Sequence, residues 1–198
     1  PIVLFGEGGG GRPGDDSTGP AVAFDTHTFT QFSKLSGAVP MIGVNHGRCF
    51  AGNTALLACC DVIIATKDST IAMGGPAMIE GGGLGIYTPE EVGPMSFQVP
   101  NGVVDILVED EAEAVRVAKQ YLSYFQGSID TWEAPDQRKL RHIVPENRLR
   151  LYDMREIIST VADRDSVLEI RAGFGVGVIT CFIRVEGRPM GVIANNPH

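Results

Sequence analysis

The sequence has no long apolar run, and this absence is the first constraint on its function. A helix that crosses a membrane needs about 20 consecutive apolar residues. No stretch of even about 18 occurs among these 198 residues. The first residues, PIVLFGEGG, also lack the basic stretch and cleavage site of a secretion signal. The sequence therefore predicts a globular cytoplasmic protein with no membrane partner and one ordinary hydrophobic core, with part of a second.

Basic charge is also scarce. The chain carries 16 Lys and Arg residues against 24 Asp and Glu residues, which gives a net charge of −8. A chain of this charge has no basic field that would attract a phosphate backbone. Nucleic acid is therefore excluded as an expected partner.

Cysteine is sparse and has no metal-binding pattern. The four residues are Cys49, Cys59, Cys60 and Cys181, and none of their spacings is that of a metal site. Adjacent cysteines such as Cys59 and Cys60 rarely form a disulfide with each other. We therefore expect four reduced thiols in the core and no metal.

Glycine is abundant and clustered. The chain has 25 glycines, and they concentrate at residues 6–14, 74–85 and 173–177. Clusters of this kind mark tight turns or a close approach of the backbone to another group. These segments are therefore the first places to look for a binding site.

The pattern of apolar residues predicts an α/β protein with two domains. Strand-like runs occur at residues 1–5, 40–45, 61–66, 102–108, 167–171, 177–185 and 189–195, and helical patterns separate the first four. A helix is predicted to begin after Asp110, with Glu113 in its first turn, and to end before Gly127.

The second part of the chain has a different pattern. Residues 128–148 are polar, contain Pro135 and Pro145, and are predicted to be a linker. An amphipathic helix is expected at 149–162, followed by a hairpin that turns at Glu186 and Gly187. The predicted domains are therefore 1–127 and 149–198, with the first incomplete at its start and the second only begun.

Two glycine-rich turns follow strand-like runs, at residues 6–14 and 47–53. Residues 51–60 are predicted to form a helix whose first N–H groups are unpaired and favour an anion. Gly6, Gly8 and Gly11 also match a dinucleotide-binding pattern, but no acidic residue follows about 20 positions later. A phosphate-binding P-loop is excluded because Arg12 and Pro13 stand where its helix would begin. An oxyanion hole made of backbone N–H groups is the remaining interpretation.

The segment GRCFAGNTALLACCDVIIA resembles the helix-start segment of the crotonase superfamily, with residues 51–53 on its glycine run. EGGGGRPGD is similar to the Ser-Gly-Gly-Ala-Arg element of biotin-dependent acyl-CoA carboxyltransferases, and residues 9–12 match that element. GGPAMIEGGGLG, TPEEVGP, NGVVDILVEDEAEAV and YDMREII continue the resemblance along essentially the whole chain. The resemblance implies a crotonase-like α/β fold of stacked ββα repeats, with one nearly complete unit and the start of a second.

The resemblance also implies a function. Crotonase-type hydratases carry two catalytic glutamates, and the matching positions here are Ala55 and Ala77. Neither residue can transfer a proton, so hydration and isomerisation are not expected. Carboxyltransferases need no such pair. They move a carboxyl group from carboxybiotin to the α carbon of a short acyl-CoA, and backbone N–H groups stabilise the enolate.

The expected site residues follow from the matched motifs. Gly10, Gly11, Ala51 and Gly52 are the expected catalytic donors. The residues expected to bind the acyl-CoA substrate are Arg12, Arg48, Asn53, Gly74 and Gly75. Arg12 and Arg48 have two open roles, since each could contact CoA phosphates or brace a loop. His46 is either a base or a loop histidine with its own partner.

The resemblance further implies partners. No cofactor is expected to be bound directly, and biotin arrives as a co-substrate on a carrier protein or domain of the biotin carboxylase component. Active sites of this family lie between subunits, so a homo-oligomer is expected. The chain resembles a fragment. Two alternatives stay open: a biotin-dependent decarboxylase or transcarboxylase, and a non-catalytic module that binds CoA or serves assembly.

Overall fold

The computed structural model describes residues 1–10, 27–147 and 149–197. The chain divides into two compact units, Pro1–Ala118 and Lys119–His198. This division falls inside a helix, earlier in the chain than the predicted boundary at residue 127. Among the described residues, no helix is both long and apolar enough to cross a membrane.

The first unit contains six strands and five α-helices within its described residues. The strands are β1 (Ile2–Phe5), β2 (Met41–Asn45), β3 (Arg48–Phe50), β4 (Val62–Thr66), β5 (Thr70–Ala72) and β6 (Ile106–Val108). The helices are α1 (His27–Ser33), α2 (Gly52–Leu57), α3 (Pro76–Gly81), α4 (Met95–Gln98) and α5 (Glu111–Ser123), of which α5 continues past residue 118. A short 3-10 helix spans Pro89–Glu91.

The strands of this unit alternate between two parallel sheets. One sheet has the order β1-β2-β4-β6, and the other pairs β3 with β5. The chain therefore repeats the same unit: β2, β3 and α2 are followed by β4, β5 and α3. Each repeat gives its first strand to the larger sheet and its second strand to the smaller one. The stacked ββα arrangement predicted from the sequence is present.

Burial explains why the central strands β2 and β4 are apolar up to their last residues, Asn45 and Thr66. All five residues of β2 and all five of β4 are buried. Strands in the middle of a parallel sheet are covered on both faces, so a continuous apolar run fits them better than an alternating one. Ile42 pairs with Val62, and Ile64 pairs with Ile106, which fixes the register of the sheet.

The second unit has an antiparallel sheet with one longer helix against it. Its strands, β7 (Leu168–Ile170), β8 (Val178–Val185) and β9 (Arg188–Asn195), lie in this order, and the helices are α6 (Leu140–Ile143) and α7 (Met154–Val161). Ile158 of α7 packs with Ile179, Cys181 and Ile183 of β8. Glu186 and Gly187 both have positive φ, of 51° and 74°, as a tight hairpin turn requires. The predicted hairpin is confirmed.

Three predicted elements are shorter or more structured than expected. The helix expected at 51–60 is only α2, Gly52–Leu57. The helix expected at 149–162 begins at Met154, because the Asp153 carboxylate accepts the N–H of Arg155 at 2.9 Å and caps the helix there. The predicted linker contains α6 and a 3-10 helix at Gln137–Lys139.

Candidate functional site

The two glycine-rich turns lie side by side. The N–H of Gly8 donates to the carbonyl oxygen of Arg48 at 2.8 Å, and the N–H of Phe50 donates to that of Gly8 at 2.9 Å. Gly8 thereby forms an isolated parallel bridge with Cys49 of β3. The first turn is therefore joined directly to the strand that leads into the second.

Gly10 brings the first turn against the start of α2. Its φ is +77°, and a Cβ added there would lie 3.0 Å from the Cβ of Ala51. Both features restrict this position to glycine. The predicted site residues Gly11 and Arg12 lie outside the described residues.

Ala51 has an unusual backbone and an engaged N–H group. Its φ is 56° and its ψ is −123°, a conformation that side chains disfavour. Its N–H points to the carbonyl oxygens of Ala72 at 3.3 Å and Met73 at 3.1 Å. Ala51 therefore holds the turn in place, and its N–H is already used. This observation favours Gly52 over Ala51 as a donor to a ligand.

Gly52 is the first residue of α2. The first N–H groups of a helix have no partner within that helix. Within residues 1–10, 27–147 and 149–197, no group accepts a hydrogen bond from the Gly52 N–H. The Gly52 N–H therefore has no acceptor among the described residues, and its role as a donor to a ligand stays a prediction.

Thr54 anchors this end of α2, and sequence analysis missed it. Its buried Oγ1 lies 2.8 Å from the carbonyl oxygen of Cys49 and 2.9 Å from that of Ala72. The hydroxyl therefore ties α2 to β3 and β5 at once. No sequence pattern indicates this role, because both acceptors are backbone atoms outside α2.

A cavity of about 490 Å³ opens beside Gly52. Its described walls are entirely apolar and comprise Phe29, Ala51, Gly52, Ala55, Met73, Gly74 and Met78. A volume of this size is typical of a small-molecule site. None of these side chains can exchange a proton. The cavity can therefore hold an apolar group next to a backbone N–H that has no acceptor in the described part of the chain.

The remaining predicted residues fall into different places. Gly74 lines the cavity, and Gly75 caps the start of α3. Asn53 packs against the first turn, since a Cβ on Gly8 would lie 2.0 Å from its Nδ2.

Arg48 and His46 both have acidic partners. The guanidinium of Arg48 forms an ion pair with Glu90 at the surface, and the two side chains are 56% and 62% exposed. Nδ1 of His46 lies 2.8 Å from a carboxylate oxygen of Glu7. These contacts favour a bracing role for Arg48 and a loop role for His46 over the alternatives.

Of the thiols close to this region, Cys49 is buried, whereas Cys59 and Cys60 are only partly buried, so the prediction of four core thiols was wrong for these two. Burial raises the pKa of Cys49, and burial together with the nearby Cys59 and Asp61 raises the pKa of Cys60 to about 12. A protonated thiol is a poor nucleophile and a poor metal ligand. In the described part of the chain, no three His, Cys, Asp or Glu side chains are grouped to hold a metal ion.

Comparison with known proteins identifies the family. The family described as "Carboxyl transferase domain" matches residues 6–198. The chain belongs to the carboxyl transferase family. The predicted crotonase-like α/β fold is confirmed, because the solved structures that resemble the chain are carboxyltransferases of that fold.

Three similar proteins show how the carboxyl transferase chain compares with its family. A solved structure of a single-chain, multi-domain long-chain acyl-CoA carboxylase is 57% identical, with a TM-score of 0.94, and the match covers 100% of this chain and 20% of that one. The crystal structure of transcarboxylase 12S, described as a hexamer assembly, is 31% identical with a TM-score of 0.72, over 85% of this chain and 35% of that one. The methylmalonyl-CoA carboxyltransferase 12S subunit of Propionibacterium freudenreichii subsp. shermanii is 32% identical, over 100% of this chain and 39% of the relative.

Further relatives of this carboxyl transferase chain are named biotin-dependent acyl-CoA carboxylase subunits. The chain spans only about two fifths or less of the length of its curated relatives, as the 34% and 39% coverage of two of them indicates.

Proposed function

We propose that this chain forms the acyl-CoA-binding part of a biotin-dependent carboxyltransferase. In this proposal the thioester oxygen of the acyl-CoA lies at the N–H of Gly52, and the first glycine turn, with Gly10 and Gly11, approaches it from the other side. The acyl group lies toward the apolar cavity. Family membership supports this assignment.

The observation that carries the proposal is the pairing of the two turns. Gly8 is hydrogen-bonded to β3, Gly10 abuts Ala51, and the N–H of Gly52, on a cavity wall, has no acceptor among the described residues. An oxyanion hole needs donors fixed in place before the charge develops, because they then need no reorganisation during the reaction. The hydrogen bonds of Ala51 and Thr54 supply that rigidity.

The reaction needs an enolate. Loss of the proton on the α carbon leaves negative charge on the thioester oxygen, and the α carbon then forms a bond to carbon dioxide. The co-substrate, carboxybiotin on a carrier protein or domain, supplies the carbon dioxide, and its released ring nitrogen takes the α proton. The chain's own contribution is to bind the thioester and stabilise the oxygen charge. The absence of an acid or base among the described cavity walls agrees with this division of work.

The proposed partners are those that a biotin-dependent carboxyltransferase requires. They are acyl-CoA, a biotin-carrying component, and further copies of the chain in a cytoplasmic assembly. The hexamer described for transcarboxylase 12S supports a homo-oligomer. Arg12, Asn53, Gly74 and Gly75 remain the proposed contacts of the substrate, whereas Arg48, also expected to bind the substrate, is assigned the bracing role that its ion pair with Glu90 favours.

Calorimetric titration with acetyl-CoA and propionyl-CoA tests the binding part of the proposal. Free CoA and a nicotinamide dinucleotide are the controls. Saturable binding that requires the thioester supports the assignment. Equal binding of free CoA, or binding of the dinucleotide alone, contradicts it. Binding without any biotin-dependent loss of the carboxyl group from methylmalonyl-CoA would favour the non-catalytic alternative.

A backbone substitution tests the donor itself. Cys49 and Cys59 flank Gly52 and provide ligation points for a synthetic segment, in which glycolate at position 52 replaces the N–H by an ester oxygen. The ligated chain with an ordinary glycine is the matched control. We expect the glycolate chain to bind a nitronate analogue of the enolate about 100-fold more weakly than the control chain, because it lacks one such donor. Unchanged affinity for this anion would mean that Gly52 is not a donor.

A further inference from the structure

The side chain of Glu7 lies against the turn that joins β2 to β3, residues 46–47. Nδ1 of His46 lies 2.8 Å from Oε1 of Glu7. A Cβ added to Gly47 would lie 2.7 Å from the same oxygen, so any other residue at position 47 would displace the carboxylate. The first glycine-rich turn is therefore attached to this part of the chain by a side chain, in addition to the backbone hydrogen bonds of Gly8.

The turn that carries His46 is itself firmly held. Asn45 is completely buried, and its Nδ2 donates to the carbonyl oxygen of Gly47 at 3.0 Å. The N–H of Thr70 donates to the same oxygen at 3.0 Å. The hydroxyl of Ser69 donates to the carbonyl oxygen of Asn45 at 2.9 Å. His46 thus projects from a rigid support.

His46 lies between carboxylates of two different elements. Its Nδ1 is also 3.5 Å from Oε1 of Glu111, the first residue of α5. A carboxylate oxygen only accepts hydrogen bonds, so a nitrogen at 2.8 Å from Glu7 must carry a proton. Both the imidazolium and one neutral tautomer of histidine meet this requirement.

The Glu7–His46 contact is suited to orient a loop and not to stabilise the fold. The side chains of His46 and Glu7 are 36% and 38% exposed, and a contact of this exposure contributes little to stability. Its effect is local, because Glu7 directly precedes Gly8 and is three residues from Gly10, which abuts Ala51.

We propose that His46 is a positioning residue, which acts through Glu7 to set where the first glycine-rich turn stands opposite Gly52. His46 does not touch the substrate in this role. The inference rests on the proposed function, since it takes the thioester oxygen to lie between the two turns. A donor that is displaced from the developing charge loses most of its effect, so the position of this turn matters more for the enolate than for the neutral thioester.

The test compares two probes by calorimetry on the full chain: propionyl-CoA, and a CoA derivative that carries a nitronate in place of the enolate. His46→Leu removes the polar contact and is expected to weaken the nitronate about tenfold, while propionyl-CoA changes less than about threefold. His46→Asn is the rescue variant, because its amide nitrogen is as many bonds from the backbone as Nδ1. We expect it to keep the nitronate affinity within about threefold of the original chain.

A second variant of the pair and a control complete the experiment. Glu7→Met keeps the length of the side chain but removes the carboxylate, and should weaken the nitronate as His46→Leu does. The double variant should be no weaker than either single one, since the two changes remove the same contact. Arg116→Leu is the control, because the ion pair of Arg116 with Glu113 is also exposed but lies within α5. Urea unfolding followed by circular dichroism should be nearly the same for all variants.

The outcomes separate this inference from the proposed function. If His46→Leu leaves both affinities unchanged, or weakens both probes equally, the positioning role is refuted and the oxyanion hole stands. If His46→Asn is as weak as His46→Leu, or Arg116→Leu has the same effect, the polar contact is not the cause and the inference also fails. If the original chain binds neither probe more tightly than free CoA, the proposed function and this inference are both overturned.

Discussion

The carbonyl oxygen of Gly8 accepts the N–H of Phe50 at 2.9 Å, and this hydrogen bond joins two segments that are distant in the chain. Gly8 precedes α1, whereas Phe50 ends β3. The bond works together with the one from the Gly8 N–H to Arg48, so the first turn continues the edge of the smaller sheet. The geometry of the candidate site therefore depends on Gly8, whose N–H and carbonyl oxygen are both hydrogen-bonded to β3.

Gly8→Ala is expected to lower the stability of this junction by about 1 to 3 kcal/mol, as overpacking of a filled site does. The added Cβ would lie 2.0 Å from Nδ2 of Asn53, so that side chain must move. Hydrogen exchange of peptides from β3 and α2, followed by mass spectrometry, measures the loss. Gly9→Ala is the control, because a Cβ at Gly9 has nothing within 4 Å. Equal effects of the two substitutions would refute the packing argument.

Ala51→Gly is expected to stabilise the first unit by about 1 kcal/mol, because glycine adopts φ 56° and ψ −123° without the steric cost that alanine bears. The gain is smaller than the strain removed, since glycine also loses more conformational entropy on folding. Chemical denaturation followed by circular dichroism measures the change. Ala55→Gly, inside α2, is the control and should destabilise by about 1 kcal/mol. A loss of stability in both variants would show that Ala51 is not strained.

Strands β2 and β4 could be predicted from the sequence because their apolar runs are continuous and all of their residues are buried. Strands β8 and β9 could be predicted from longer apolar runs, although β9 has no buried residue. Each of the seven predicted runs overlaps an observed strand. Strands β3 and β5 were missed, since neither lies in a longer apolar run, whereas the equally short β6 and β7 do, and each of the two pairs with no strand but the other in the described part of the chain. Periodicity carries little information over so short a stretch. Their existence depends on tertiary contacts and not on local preference.

The candidate site could be predicted only in part for a similar reason. The two glycine-rich motifs predicted that their turns lie close together, and the structure shows Gly10 next to Ala51. The engagement of the Ala51 N–H was not foreseen, because its acceptors come from β5 and the residue after it. Phe29 and Met78 carry no motif at all, and their place in the cavity follows from how α1 and α3 pack.

Cys60 is expected to react slowly with iodoacetamide. Burial, followed by the charges of Cys59 and Asp61, raises its pKa to about 12, so the reactive thiolate forms only as the pH rises toward that value. At about pH 8 we expect alkylation at least about 100-fold slower than in the urea-unfolded chain, where a thiol has its ordinary pKa near 8.5. Peptide mapping by mass spectrometry gives the rate at this position. Similar rates in the folded and unfolded chains would contradict the raised pKa of this thiol.

Arg184 is the charged residue whose loss should affect the second unit most. Its guanidinium is buried and donates to the carbonyl oxygens of Gly187 at 2.6 Å, Ser123 at 2.7 Å and Gly127 at 3.0 Å. Lysine has a single nitrogen at its tip and cannot reproduce this fork, so at least one buried carbonyl would lose its donor. Arg184→Lys should therefore lower the free energy of unfolding by about 2 to 4 kcal/mol.

The single tryptophan of the chain, Trp132, lies in the same unit and reports its unfolding by fluorescence. Arg164→Lys is the matched control, because Arg164 and its partner Glu133 are 58% and 72% exposed. A surface ion pair of this kind contributes at most about 1 kcal/mol, and lysine can largely keep it. The urea midpoint seen by Trp132 should fall clearly in Arg184→Lys and hardly move in Arg164→Lys. If the two midpoints shift alike, the three carbonyl contacts do not hold the turn at Gly187 to the end of α5 as described.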